Sequence, residues 1–210
     1  MGTESPGLKA AVTYNAAADH FDDVPLAFWD QYGRRTIERL ALASGASVLD
    51  VGCGSGASAI PAAVAVGSQG RVLGVDLAQR LLELARVKAR QLQLHNIEFR
   101  LADMESLGFP DATFDAVVCV FAIFFVPDMV KQVRELWRMV RPGGQLAITT
   151  WGPRMCMVGS GRQISARPRF DYQPMGTDHY PHSCQETTHR RRNRTGGDHG
   201  GRWQASPRGS

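Results

Sequence analysis

The stretch VLDVGCGSGASAI, residues 48–60, decides how the rest of the chain is interpreted. A short apolar run that contains one acid, Asp50, leads into a series of small residues. Three glycines stand there at alternate positions: Gly52, Gly54 and Gly56. This order predicts a buried strand, a tight turn and a helix whose first N–H groups are free to meet a ligand. The glycines alone also fit a turn that only connects a strand to a helix, so the rest of the chain has to identify the ligand.

Apolar and amphipathic segments alternate on both sides of this motif. Apolar runs predict strands at 47–51, 71–76, 97–103, 114–121 and 145–151. Helical spacing of apolar residues predicts helices at 26–42, 57–66, 77–93 and 127–140. This order is typical of an α/β fold with a Rossmann-like, doubly wound, mostly parallel sheet and helices on both faces. Ligands of such sheets bind at the carboxyl ends of the strands, where Asp76, Asp103 and Phe121 should join the glycine loop.

The composition is that of an ordinary globular protein. Of the 210 residues, 43% are hydrophobic and 21% are charged, which suffices for a packed core. Residues 1–154 carry 15 Lys and Arg against 16 Asp and Glu, whereas residues 155–210 carry nine Arg against four acids. The basic character therefore belongs to the tail, and the body predicts no specific nucleic-acid partner.

Three features predict a cytoplasmic protein. The first ten residues contain no apolar leader, and the longest apolar run, residues 116–126, is too short to span a bilayer. The four cysteines are scattered and form no metal-type pair, which is typical of a reducing compartment. We therefore expect no membrane span and no metal ion, and the sequence leaves the oligomeric state open.

Two cofactors fit the glycine loop. The first two glycines and Ala57 also satisfy the dinucleotide fingerprint G-x-G-x-x-G/A, and Asp76 stands at the approximate position of its ribose-binding acid. A carboxylate at Asp50, however, would repel a pyrophosphate, whereas it can accept hydrogen bonds from loop N–H groups or, through water, from an ammonium. The sequence LADM, residues 101–104, adds an acid and a thioether that suit the amino group and the ring of adenine. These features favour a cofactor other than NAD.

Four motifs are shared with a known family. They are VLDVGCGSG (48–56), VLGVDLA (72–78), FRLADMESLGFPDATFD (99–115) and LWRMVRPGGQLAITTW (136–151). Together they resemble the class I S-adenosylmethionine-dependent methyltransferases, and most closely the small-molecule enzymes of ubiquinone and menaquinone biosynthesis. The resemblance covers residues 14 to about 153. It implies S-adenosyl-L-methionine as the cofactor and transfer of its methyl group to a small-molecule acceptor.

The resemblance also implies which residues bind the cofactor: Asp50, Gly52, Cys53, Gly54, Gly56, Asp76, Leu77, Asp103, Met104, Val120 and Phe121. The glycines of the loop would line the methionine part of the cofactor, while Asp50 holds the loop and Cys53 fills space. Val120 and Phe121 would lie under the sulfonium, ahead of the acceptor pocket.

The nucleoside part of the cofactor is expected to meet the ends of the second and third strands. The resemblance implies that Asp76 binds both ribose hydroxyls and that Leu77 packs on the adenine. It also implies that Asp103 accepts a hydrogen bond from the adenine amino group, with Met104 beside the ring.

The resemblance assigns no catalytic side chain. The sulfonium already activates the methyl group, so the protein has to position the acceptor and exclude water. His20 is a candidate base by residue type only, and a surface or helix-entry position suits it better. The rings of Phe121, Phe124 and Phe125 fit an acceptor pocket and a core position equally well.

The chain divides into three regions: an N-terminal helical lid at 1–45, the S-adenosylmethionine-binding domain at 46–153, and an irregular or disordered tail at 154–210. The resemblance implies that aromatic residues of the lid cover the site, and these are Tyr14, Phe21 and Trp29.

The tail differs sharply from the body. From residue 155 onward there is no leucine and no lysine, and no helix or strand period is present. We hypothesise that this tail is read out of frame from a GC-rich gene, so that the chain lacks the C-terminal antiparallel strand pair of the family.

Two alternatives to an active methyltransferase then stay open: a non-catalytic remnant that binds S-adenosylmethionine, and an NAD(P)-dependent oxidoreductase. The tail residues His179, His182, Cys184 and His189 match no familiar zinc-site spacing.

Overall fold

The computed structural model describes residues 5–23 and 28–151, together with the backbone of a strand at 184–190. The helices in these ranges are α1 (Pro6–Ala17), α2 (Phe28–Leu40), α3 (Ala59–Val66), α4 (Gln79–Gln91) and α5 (Met129–Arg138). The strands are β1 (Ser47–Val51), β2 (Arg71–Asp76), β3 (Ile97–Leu101), β4 (Phe114–Val120), β5 (Val140–Trp151) and β6 (Cys184–Arg190). They form one sheet of order β3-β2-β1-β4-β5-β6, in which β1 to β5 run parallel.

Strand β1 is buried on both faces of the sheet. Val48 packs into a cluster with apolar residues of α2, α3 and α4, whereas Leu49 and Val51 pack into a second cluster with α5. Successive side chains of a strand point to opposite faces, so a continuous apolar run suits a strand that is covered on both sides. The carboxyl end of β1, where the glycine loop begins, is therefore held by two cores. The predicted α/β fold with a doubly wound, mostly parallel sheet is confirmed.

Strand β5 begins earlier than the sequence predicted. Its pairing with β4 starts at Val140 rather than at 145, and the register shifts between Phe114 and Ala116. The two strands approach closely at Gly144, where an added Cβ would lie 2.5 Å from the carbonyl oxygen of Asp115. Gly143 has a φ of 85°, and the glycines of this segment let the chain stay within the sheet through the irregularity.

Helix α1 lies in the N-terminal region that the sequence predicted to be helical, although no helix boundaries were predicted there. The N–H of Leu8 donates to the hydroxyl of Ser5 at 3.2 Å, and Pro6 occupies the first turn. The N–H of Arg80 on α4 donates to the side-chain oxygen of Asn15 at 2.9 Å. The helix therefore combines a local N-terminal cap with a tertiary contact to α4, and the second of these leaves no periodic signal in the sequence.

Strand β6 follows β5 in a segment whose sequence shows no strand period. Its backbone pairs antiparallel with β5, from Gln145 opposite Arg190 to Trp151 opposite Cys184. The described residues thus include one antiparallel strand rather than the pair that the sequence was expected to lack. The remainder of the predicted irregular tail, with His179 and His182, lies outside the described residues, and the out-of-frame origin stays a hypothesis.

None of the helices in the described ranges is long and apolar enough to cross a lipid bilayer.

The contact of α2 with the loop before α3 gives a test of the packing. An added Cβ at Gly33 would lie 2.3 Å from the carbonyl oxygen of Ala57. Gly33→Ala should lower the free energy of unfolding by about 2–3 kcal/mol, because neither backbone can move without disturbing the core. Helix propensity alone predicts the opposite sign, a gain of about 1 kcal/mol.

Chemical denaturation of both proteins measures this difference. Arg34→Ala, on the exposed side of the same helix, is the matched control and should change the free energy of unfolding by less than about 0.5 kcal/mol. A Gly33→Ala protein as stable as the wild type would contradict the close approach.

Candidate functional site

A cleft of about 850 Å³, counted with its open mouth, lies at the carboxyl edge of the parallel strands. Its floor consists of the glycine loop and the ends of β2 and β4, and one side of α1 forms its roof together with Phe21 and Trp29. The cleft therefore lies where a doubly wound sheet is expected to bind its ligand.

The glycine loop has the backbone conformation that its sequence predicts. Gly52, Gly54 and Gly56 have φ values of 71°, 52° and 92°, a region that residues with a Cβ rarely adopt. An added Cβ at Gly52 would lie 2.2 Å from the Cβ of Ala122. The N–H of Gly52 donates to the carbonyl oxygen of Val75 at 2.8 Å, which anchors the loop to β2. The loop can bring its backbone against a ligand because these positions carry no side chain.

The carboxylate of Asp76 connects three parts of the site. Its Oδ2 accepts a hydrogen bond from the N–H of Gly54 at 2.8 Å, and its Oδ1 accepts one from the N–H of Ala78 at 2.8 Å. Burial raises the pKa of Asp76, and hydrogen bonds from backbone N–H groups, those of Ala78 and Gly54 among them, oppose the rise. A carboxylate has about four acceptor positions, so this one can still accept hydrogen bonds from a ligand in the cleft.

Asp50 lies behind the loop and is fully buried. The hydroxyl of Ser58 donates to its Oδ2 at 2.6 Å, while its Oδ1 has no hydrogen-bond partner among the described residues. Burial raises the pKa of Asp50 to about 7; the Ser58 hydrogen bond opposes the rise and the charge of Asp76 adds to it. Asp50 therefore ties the end of β1 to the start of α3 and leaves one buried oxygen unsatisfied.

Eight of the eleven predicted cofactor-binding residues line the cleft: Gly52, Cys53, Gly54, Asp76, Leu77, Met104, Val120 and Phe121. The other three, Asp50, Gly56 and Asp103, lie outside its lining. One oxygen of Asp103 accepts a hydrogen bond from the N–H of Glu105 at 2.9 Å and caps a short 3-10 helix, Met104–Ser106. Burial raises the pKa of the Cys53 thiol well above its usual range, which agrees with its interpretation as a space-filling residue.

The three aromatic residues predicted to lie in the lid, Tyr14, Phe21 and Trp29, all line the cleft. The ring of Phe21 contacts that of Tyr14 at 5.8 Å between centroids and stacks with that of Trp29 at 6.4 Å. Burial and the nearby charge of Asp76 raise the pKa of the Tyr14 hydroxyl, so this group stays neutral at physiological pH. Sequence reasoning missed the small residues Gly7, Ala10 and Ala11 of α1, although their spacing on one helix face was a usable signal.

Phe121 stands at a strained position at the end of β4. Its φ is 54°, in the left-handed region that costs a residue with a side chain of order 1 kcal/mol or more. Its ring lies 4.5 Å from that of Trp151 and 5.3 Å from that of Trp29, between centroids. Of the three predicted phenylalanines, Phe121 and Phe125 line the cleft, whereas Phe124 packs on Phe125 as part of the second core cluster.

His20 is placed away from the cleft. Its side chain is 82% exposed and its Nδ1 lies 3.1 Å from the carboxylate of Asp23. This agrees with the surface interpretation of His20 and removes it as a base for a reaction inside the cleft.

The buried carboxyl of Asp50 gives a test in pH. Its folded-state pKa of about 7 lies above the value of about 4 in an unfolded chain, so the folded protein holds an extra proton between these pH values. The free energy of unfolding should therefore fall as the pH rises through this window, by roughly 4 kcal/mol from this group. Asp50→Asn should lack that part of the decrease.

Denaturation curves at several pH values measure this decrease in the free energy of unfolding. The control is Asp30→Asn, a change at an exposed residue of α2, which should keep the wild-type profile. Identical pH profiles for Asp50→Asn and the wild type would contradict the buried, partly unsatisfied carboxyl.

Sequence comparisons identify similar proteins over most of the body. Residues 49–148 match the family described as a methyltransferase domain. The chain is 36% identical over 149 residues to aklanonic acid methyltransferase from Streptomyces sp. (strain C5), covering 70% of this chain and 68% of that protein. It is 36% identical over 117 residues to demethylmenaquinone methyltransferase from Listeria welshimeri, covering 56% of this chain and 50% of that protein. The chain thus spans about half the length of that second relative.

Solved structures share the fold. A SAM dependent methyltransferase from Aquifex aeolicus matches with a TM-score of 0.57 and 25% identity, covering 73% of this chain and 78% of that chain. The [4+2]-cyclase SpnF matches with a TM-score of 0.54 and 30% identity, covering 60% of this chain and 46% of that chain.

Proposed function

We propose, because the chain belongs to the family of S-adenosylmethionine-dependent methyltransferases, that it binds S-adenosyl-L-methionine in the cleft and transfers the methyl group to a small-molecule acceptor. The observation that carries the proposal is the carboxylate of Asp76. It lines the cleft at the end of β2 and is fixed on both sides by backbone N–H groups. A carboxylate held in this way presents acceptors to a vicinal diol such as that of ribose.

The residues present fit this cofactor. An added Cβ at Gly54 would meet only Leu81, at 3.8 Å, so the loop backbone is open there to close approach of the methionine part. Behind the loop, the buried Oδ1 of Asp50 is an acceptor without a partner among the described residues, and a cationic ligand nearby would favour the ionised form of this carboxyl. Leu77 and Met104 give the nucleoside end an apolar wall. Asp103 precedes Met104 outside the lining of the cleft, and since one of its oxygens caps the 3-10 helix, a hydrogen bond to an adenine amino group would use the other oxygen.

The bound cofactor supplies a methyl group that its sulfonium has already activated. The protein then has to hold the acceptor in line with that methyl group and to keep water out. Val120 and Phe121 form the wall at the end of β4, and the ring of Trp29 packs edge-to-face on that of Phe121, at 5.3 Å between centroids. Aromatic faces attract a cation, so this aromatic wall favours a sulfonium placed against it. The proposal assigns no general base.

The walls of the cleft favour an apolar, flat acceptor. Rings of Phe21, Trp29, Phe121 and Phe125 contribute to the lining, and aromatic faces stack well on planar ligands. The names of two relatives, aklanonic acid methyltransferase and demethylmenaquinone methyltransferase, are consistent with acceptors of this kind. We infer that the acceptor is a small aromatic or quinol-like molecule.

Calorimetric titration of the full chain tests the cofactor. S-adenosylmethionine should bind and NAD should not. Asp76→Asn should weaken S-adenosylmethionine binding about 100-fold, because hydrogen bonds to a charged acceptor contribute roughly 1.5–3 kcal/mol each. Asp30→Asn, at an exposed residue that does not line the cleft, should bind as the wild type does. Preferred binding of NAD, or equal affinity in wild type and Asp76→Asn, would overturn the assignment.

Transfer itself is tested with isotopically labelled S-adenosylmethionine and a set of quinols, hydroxylated anthraquinones and simple phenols. Label should appear in at least one aromatic acceptor, and Phe121→Ala should reduce the rate more than it reduces cofactor affinity. Binding of S-adenosylmethionine without transfer to any acceptor would support the alternative of a non-catalytic remnant.

A further inference from the structure

The hydroxyl of Ser55, in the middle of the glycine loop, has two charged partners. It donates to Oδ1 of Asp22 at 3.0 Å and accepts from Nζ of Lys88 at 3.1 Å. The ammonium of Lys88 also lies 2.6 Å from the same oxygen of Asp22. Three side chains therefore form one closed hydrogen-bonded network at the edge of the cleft.

These side chains come from three separate parts of the molecule. Asp22 lies next to the last residue of the described N-terminal segment, residues 5–23, which we call the cover because several of its residues roof the cleft. Ser55 belongs to the loop on the cleft floor, and Lys88 belongs to α4. Asp22 directly follows Phe21, whose ring lines the cleft. The network thus joins the roof of the cleft to its floor through one charged pair.

The network is shielded from solvent more than an ordinary surface ion pair. Ser55 is 2% exposed, and the side chains of Lys88 and Asp22 are 27% and 36% exposed. The cover makes a second charged contact with α4, between Asp19 and Arg80, but these side chains are 70% and 45% exposed. Because water screens exposed pairs, the pair that includes Asp22 should hold the cover more strongly.

We propose that the Asp22–Lys88 pair is a latch that holds the cover against the glycine loop through Ser55 and thereby slows release of the bound cofactor. The inference rests on the proposed function, because it needs an S-adenosyl ligand in the cleft. A ligand under the cover leaves only when the cover moves away, and the latch contacts break in that step. Asp22 and Lys88 are positioning residues, since neither lines the cleft.

Release of S-adenosylhomocysteine from the full chain, followed by the fluorescence of Trp29 and the other tryptophans after rapid mixing with excess competitor, tests the latch. Asp22→Asn and Lys88→Met should each raise the release rate roughly tenfold. The double variant should release at the rate of either single variant, because the two residues act as one unit. Lys88→Arg keeps the positive charge and should restore most of the wild-type rate. Asp19→Asn, in the exposed contact, should change the rate less than twofold.

The salt dependence of the release rate distinguishes a latch from a role of these residues in folding alone. Raising the NaCl concentration from about 0.05 M to 0.5 M shortens the Debye length from roughly 14 Å to 4 Å. Release from the wild type should therefore become faster, and release from the double variant, which keeps only the exposed Asp19–Arg80 contact, should respond less to salt. Asp19→Asn should keep the salt response of the wild type.

Release rates in Asp22→Asn and Lys88→Met equal to that of the wild type would overturn the latch. A double variant whose rate is the product of the single effects would also overturn it, because the residues would then act independently. These outcomes differ from failure of the proposed function, in which the wild type itself shows no binding of S-adenosylhomocysteine.

Discussion

The site depends on the carboxylate of Asp76 being held between the glycine loop and the start of α4. One oxygen accepts from the N–H of Gly54 and the other from the N–H of Ala78, so a single side chain fixes the separation of the loop from the helix. Burial raises the pKa of this carboxyl, and the backbone donors that hold it oppose part of the rise. The same side chain lines the cleft, so the group that holds the loop also faces the ligand.

The parallel sheet provides the rigid frame that this arrangement needs. Strand β1 is packed on both faces. The glycine loop begins at the carboxyl end of β1, where Gly52 packs closely against Ala122, in the turn that follows β4. The floor of the cleft is thus built from well-packed residues. The roof is joined to the rest of the molecule by different means, through aromatic contacts of Phe21 and through polar contacts with α4. A fixed floor and a separately attached roof suit a ligand that has to enter, react and leave.

The sequence predicted the family, the fold and S-adenosyl-L-methionine as the cofactor correctly, because these follow from local patterns. Glycines at alternate positions dictate the loop, and an acid that ends β2 must meet it at the same edge of the sheet. Long-range packing determines the features that the sequence did not predict. The bulge that lets β5 begin at Val140, the pairing of β6, and the contact of Ser55 with Asp22 all join residues far apart in the chain. The predicted roles of the individual cofactor-binding residues stay predictions.

A crystal structure of the chain with S-adenosylhomocysteine tests the role of Asp76 directly. We expect the ligand in the cleft, with both ribose hydroxyls within about 3 Å of the carboxylate oxygens of Asp76 and the amino-acid part against the backbone of the glycine loop. A ligand bound elsewhere, or bound in the cleft with its ribose turned away from Asp76, would rule out this role.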